Sequence, residues 1–122
     1  MRFTQDLSSG VNTIRAYGAG ELRINEEFFR AAVLVSATTI LLEPAIHSVV
    51  DLGAEHTARI LALDPEVVLL GTGMRQTFPP PAFGAKFLRA GIGFEVMDTG
   101  AACRTFNVLV AEQRRVVALL LV

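Results

Sequence analysis

Residues 67–81 read Val67-Val68-Leu69-Leu70-Gly71-Thr72-Gly73-Met74-Arg75-Gln76-Thr77-Phe78-Pro79-Pro80-Pro81, and the rest of the chain is organised around them. Four consecutive aliphatic residues have no polar alternation, so they describe a strand covered on both faces. The run halts at Gly71-Thr72-Gly73, a glycine turn at the carboxyl end of a buried strand. Open α/β sheets place their ligands at such ends.

Reading towards the C-terminus, Phe83, Phe87 and Ala90 fall at helical spacing, and Gly91 suits the position just past a helix end. Ile92 to Met97 forms the next strand. Asp98-Thr99 is a helix-start signal for a helix over about 101–112, whose apolar face is Ala102, Phe106, Leu109 and Val110. Val116 to Val122 is a second wholly apolar run. This half is β-α-β-α-β, the pattern of a parallel sheet with right-handed crossovers.

Reading towards the N-terminus, Ala54 to Leu63 has helical character, with Thr57, Ile60 and Leu61 on one face, and Asp64-Pro65 ends it. Val49-Val50 is a further short strand. Asn12 to Tyr17, the Gly18-Ala19-Gly20 turn and the cleanly alternating Glu21 to Asn25 form a hairpin. Phe28-Phe29, Ala31 to Ser36 and Thr38 to Leu42 extend it into an antiparallel meander, after a polar lead-in over residues 1–10. The expected fold is therefore α/β: one domain over residues 1–122, a meander followed by a mixed, largely parallel sheet with helices packed on it.

Composition bounds the function. Hydrophobic residues are 52% of the chain and charged ones 19%, against roughly 45–50% and about 25% in ordinary soluble domains. That surplus points to apolar surface covered by a partner. Net charge is −1 with no basic stripe, which argues against nucleic acid. Cys103 is the single cysteine, so an internal disulfide and a thiolate zinc cluster within one chain are excluded and a reducing, cytoplasmic setting is expected. Met1 to Asp6 lacks a signal-peptide core, and Val116 to Val122 is far short of the roughly 20 residues that span a bilayer.

Gly71-Thr72-Gly73 with Phe78-Pro79-Pro80, and above all the run from Gly91 through Asp98-Thr99-Gly100-Ala101-Ala102-Cys103-Arg104-Thr105-Phe106-Asn107 to Leu109, resemble a known family. It is the group of small α/β proteins of unknown function that includes the third assembly factor of mitochondrial respiratory complex I and the adipogenesis-associated domain protein. The resemblance covers nearly the whole chain and is strongest over residues 66–122. It implies β-layers with helices on a mixed sheet, and a non-catalytic, protein-binding or self-associating role with no cofactor.

The residues themselves offer a second possibility. Glycine at Gly71 and Gly73 allows successive N–H groups to face one concavity, which binds anions, and Arg75 adds a forked donor. A small anionic ligand would then touch Gly71, Thr72, Gly73, Arg75, Gln76 and Asp98, with Arg104 and Asn107, three apart on one helix side, converging with Arg75. The loop reads more readily as a purely structural turn, a glycine loop being a weak motif alone. Gln76 stands where a dinucleotide loop has its third glycine, and Pro79-Pro80-Pro81 separate the turn from the helix, so a dinucleotide cofactor does not fit. Cys103 lies in the first turns of a helix without a nearby histidine and reads as a small core residue. His47 and His56, with Glu43, Asp51 and Glu55, match no metal-ligand spacing.

Overall fold

A computed structural model describes residues 10–18 and 20–122. Most of the expected lead-in and Ala19 of the first turn lie outside the described residues. In chain order the elements are β1 (Ile14–Gly18), β2 (Glu21–Ile24), β3 (Glu27–Phe29), β4 (Val33–Ser36), β5 (Ile40–Leu42), α1 (Ala54–Leu61), β6 (Val67–Thr72), α2 (Pro81–Arg89), β7 (Gly93–Met97), α3 (Thr99–Ala111) and β8 (Val116–Leu121).

The two continuous apolar runs become the centre of a five-stranded sheet of order β5-β4-β8-β6-β7. All six residues of β8 are buried, because β8 is flanked by β4 and β6 and covered above and below. β6 runs parallel to both β7 and β8, while β4 is antiparallel to β8 and β5. Alternation along the strands separates two cores. Val117, Leu119 and Leu121 with Val68 and Leu70 meet Ile60 of α1 and Phe83 and Phe87 of α2. Val116, Ala118 and Leu120 with Leu69 meet Ala102 and Phe106 of α3 and Ile14, Leu22 and Ile24 of the first strands.

The expected meander is divided between sheets. β1, β2 and β3 form their own antiparallel sheet, whereas β4 and β5 join the five-stranded one. Burial explains the division. β2 alternates between buried and half-buried positions, as befits a sheet with one wet face, but Val33, Leu34 and Val35 are buried on both sides and belong beside β8.

The expected strand at Val49-Val50 is instead a 3-10 turn, Val49–Asp51. Ser48 Oγ accepts the Val50 N–H at 3.3 Å, and the Asp51 carboxylate accepts the N–H groups of His47 and Ser48 at 2.9 and 3.2 Å. These local bonds satisfy the backbone without a strand neighbour. α1 stops at Leu61, and Asp64 leaves the helical region ahead of Pro65 with φ of 54°. α2 ends as the spacing implied, with Gly91 left-handed at φ of 76°. Asp98 caps α3 by accepting the Ala101 N–H at 2.9 Å.

Candidate functional site

The glycine stretch is mostly strand. β6 continues through Gly71 and Thr72, which pair with Leu120 and Leu121 of β8, so the expected turn contracts to Gly73, left-handed at φ of 95°. Gly71 is glycine because α3 passes close above it. A Cβ there would lie 3.0 Å from Thr99 Cα and 3.1 Å from Ala102 Cβ. Such distances belong to a packed junction rather than a ligand cleft.

Thr99 organises this junction. Its hydroxyl accepts the Gly73 N–H at 2.7 Å and donates to the Leu121 carbonyl at 2.6 Å, and its own N–H donates to the Gly73 carbonyl at 2.9 Å. The residue is wholly buried. One side chain thus ties the ends of β6 and β8 to the start of α3, and it takes the N–H that an anion at Gly73 would need. Beyond it, the Thr72 hydroxyl accepts the Thr77 N–H at 2.9 Å and donates to the Arg75 carbonyl. Gln76 Nε2 donates to the Val96 carbonyl of β7 at 3.0 Å. The Arg75 side chain is exposed and takes part in no ion pair among the described residues.

A cleft of about 220 Å³ opens between β1 and α3, lined by Ile14, Tyr17, Gly100, Cys103, Arg104 and Asn107. Of the three side chains whose convergence the spacing suggested, Arg104 and Asn107 share its wall, and Arg75 is not part of it. Asn107 is fully engaged: its Oδ1 accepts the Ile14 N–H at 2.9 Å and its Nδ2 donates to the Ile14 carbonyl at 2.7 Å. The amide therefore acts as a piece of strand, fastening the three-stranded sheet to α3. The Tyr17 hydroxyl is shielded from solvent without a well-aligned partner. Burial pushes its ionisation upward, outweighing the neighbouring Thr99 hydroxyl, which is already committed twice. Burial likewise pushes the Cys103 thiol up to about 11, which favours its protonated form at neutral pH.

The histidines and acids around α1 serve the scaffold. His56 Nδ1 accepts the Gly53 N–H at 3.0 Å, closing the start of α1. Glu43, buried, receives both Arg59 Nε and Nη2 at 2.7 Å. Asp51 holds the 3-10 turn. Among the described residues no group of three such side chains is placed to hold a metal ion.

A more apolar surface lies elsewhere. β7 is an edge strand, and α2 packs against it across Gly84, where a Cβ would meet the Phe94 ring at 2.7 Å. Phe94 stacks on Phe87 with ring centres 5.4 Å apart and meets Phe83 edge-on at 5.9 Å. This firm base leaves an apolar groove of about 330 Å³ between Phe78-Pro79-Pro80-Pro81, Ala85, Leu88 and Val96. Phe78 is 69% exposed, Leu88 64% and neighbouring Met74 78%. The sequence reading did not single out Phe78, Leu88, Phe94 and Val96 as one surface. The available signals were the hydrophobic surplus and a phenylalanine stranded beside three prolines, outside any helical face.

Residues 14–121 match the family described as "Protein of unknown function (DUF498/DUF598)". The chain belongs to that family. Its relatives include NADH dehydrogenase [ubiquinone] 1 alpha subcomplex assembly factor 3 of Danio rerio, 33% identical over 96% of this chain and 68% of the zebrafish protein. They also include a "13 kDa major membrane protein" of Francisella tularensis, 32% identical over 84% of each chain. A crystal structure of a Bordetella parapertussis protein superposes with a TM-score of 0.84 at 38% identity, covering 93% of this chain and 97% of that one. The family resemblance and the α/β fold read from the sequence both stand. No helix among the described residues is long and apolar enough to cross a membrane.

Proposed function

We propose that this chain is a non-catalytic protein-binding module of the assembly-factor kind, acting through the groove between α2 and β7. The exposed Phe78 and Leu88 over a rigid aromatic base carry this reading. Burying one such side chain contributes about 1.5–3 kcal/mol, and anchors of this type dominate protein interfaces. Similarity to assembly factor 3 supports the same class of role. Arg75 and Gln76 belong to this docking surface, whereas Gly71, Thr72, Gly73, Asp98 and Asn107 build the frame behind it and Arg104 lines the separate cleft. We place the protein in the cytoplasm, where its one free cysteine stays reduced.

The test compares the tagged chain with the Phe78→Asp/Leu88→Asp double variant in the cells that naturally make it. Both side chains are exposed, so the thermal midpoint should be unchanged within a few degrees. Quantitative mass spectrometry should show that specific co-purifying proteins disappear with the variant. Identical co-purifying sets, or none for either chain, would overturn the reading.

A further inference from the structure

Parallel pairing fixes which backbone groups of β7 remain open. The Gly93 N–H donates inward to the Glu66 carbonyl at 3.1 Å. Strand alternation then turns the N–H and C=O groups of Phe94 and Val96 outward, to the free side of the sheet. One of these outward groups already has a substitute partner. The Val96 carbonyl accepts the Gln76 side-chain amide at 3.0 Å, occupying the place that a neighbouring strand's N–H would take. The Phe94 and Val96 side chains lie in the apolar groove, so a strand added beside β7 would set every second side chain along it.

Charge selects the partner. Among the described residues, Arg15, Arg23, Arg30, Arg59, Arg114 and Arg115 each have a carboxylate partner. Of the remaining cations, Arg75 sits in the loop whose Gln76 meets the end of β7, and Arg89 follows Leu88 where α2 turns back into the start of β7. The groove-lining segment 78–88 is therefore flanked in sequence by two arginines, Arg75 and Arg89, with no carboxylate partner among the described residues. A second copy of this chain is disfavoured in the two-fold register that centres the pair on β7. Two-fold antiparallel pairing centred on Glu95 would oppose Glu95 to its own copy and bring Arg75 towards Arg89, and like charges across a strand pair are destabilising.

Resting on the protein-binding reading above, we infer that the free edge of β7 takes an extended segment of a different protein as a sixth strand. Its apolar side chains occupy alternate positions and acidic residues lie at its ends. Gln76 shields the edge until that segment displaces it.

The experiment selects a displayed library of random peptides on the full chain, then follows one enriched synthetic peptide by amide NMR. Enriched sequences should alternate apolar residues between Asp/Glu-rich ends. The peptide should slow hydrogen exchange at Phe94 and Val96 at least about tenfold. Arg75→Glu/Arg89→Glu should weaken binding about three- to tenfold, the size expected for two exposed pairs. Absence of enrichment, helical spacing, basic ends, shifts mapping away from β7, or protection of Phe94 and Val96 by self-association without peptide would each overturn the inference. If the Phe78→Asp/Leu88→Asp variant loses its cellular partners while any of these occurs, protein binding stands and strand addition falls.

Discussion

Replacing Thr99 by valine removes one hydroxyl while keeping the shape and branching of the side chain. The hydroxyl accepts the Gly73 N–H at 2.7 Å and donates to the Leu121 carbonyl at 2.6 Å, at a site with no measurable solvent exposure. A buried polar group left without a partner costs about 1–3 kcal/mol, so two orphaned groups give a loss of about 2–5 kcal/mol, allowing for partial relaxation. With a urea slope of roughly 1–3 kcal/mol per molar, the unfolding midpoint should fall by about 0.7–5 M. Thr99→Ser keeps the hydroxyl and should lose only about 1 kcal/mol for the missing methyl. Thr105→Val is the matched control. Its hydroxyl bonds the Ala101 carbonyl of its own helix at 2.9 Å, a weak local bond whose loss leaves the backbone ladder intact. The assay is equilibrium urea unfolding followed by circular dichroism. A Thr99→Val loss below about 1 kcal/mol, or one equal to that of Thr105→Val, would refute the claim that this hydroxyl locks three elements together.

Asn107→Ala should loosen the three-stranded sheet selectively. Hydrogen exchange at the Ile14 amide should accelerate at least about tenfold while β6 and β8 amides change little, and uniform acceleration would contradict a local fastening role. Cys103 should resist iodoacetamide in the native chain at neutral pH, because burial holds its thiol up at about 11, and should label fully in urea; rapid native labelling would show the thiol to be accessible. Acid should destabilise the fold through Asp51, held below the ordinary carboxylate range chiefly by the His47 N–H, and Glu66, held low chiefly by the Arg115 N–H. Their folded-state ionisation is depressed, so the unfolded chain takes up protons first. Stability is then constant above the ordinary values of 3.8 and 4.5 and falls as pH drops below them. Urea midpoints for Asp51→Asn/Glu66→Gln should show a shallower acid limb than the parent, and parallel limbs would exclude both carboxylates as the cause.

The C-terminal half was legible because its signals are local. Uninterrupted aliphatic runs at 67–70 and 116–121, the Phe83/Phe87 and Ala102/Phe106 spacings, the Asp98 cap and the Gly91 stop each act within a few residues. What the sequence hid depends on distant partners. Gly71 looked like the start of a loop because a glycine after four aliphatic residues usually breaks a strand. It is a strand residue made small by α3, which arrives from 28 positions downstream at Thr99. The division of the meander depends on β4 finding β8, and the Asn107–Ile14 fastening spans 93 positions. The groove was hidden for the same reason. Phe78 and Leu88 become a surface only once strand order leaves β7 at an edge, and strand order is a property of the whole sheet.

The position of β8 between β4 and β6 has a consequence for how the chain acquires its fold during synthesis. Chain emerging as far as Met97 contains the residues of the β4–β5 hairpin and of the β6–β7 pair, yet the facing edges of both halves await a strand not yet made. Neither core can close, and Thr99 has no Leu121 carbonyl to hold. The sheet is completed from the inside, by insertion, only when residues 116–121 are free of the ribosome. Until then two apolar strand edges stand open to any chain nearby, so the interval between the emergence of β7 and that of β8 carries the greatest aggregation risk.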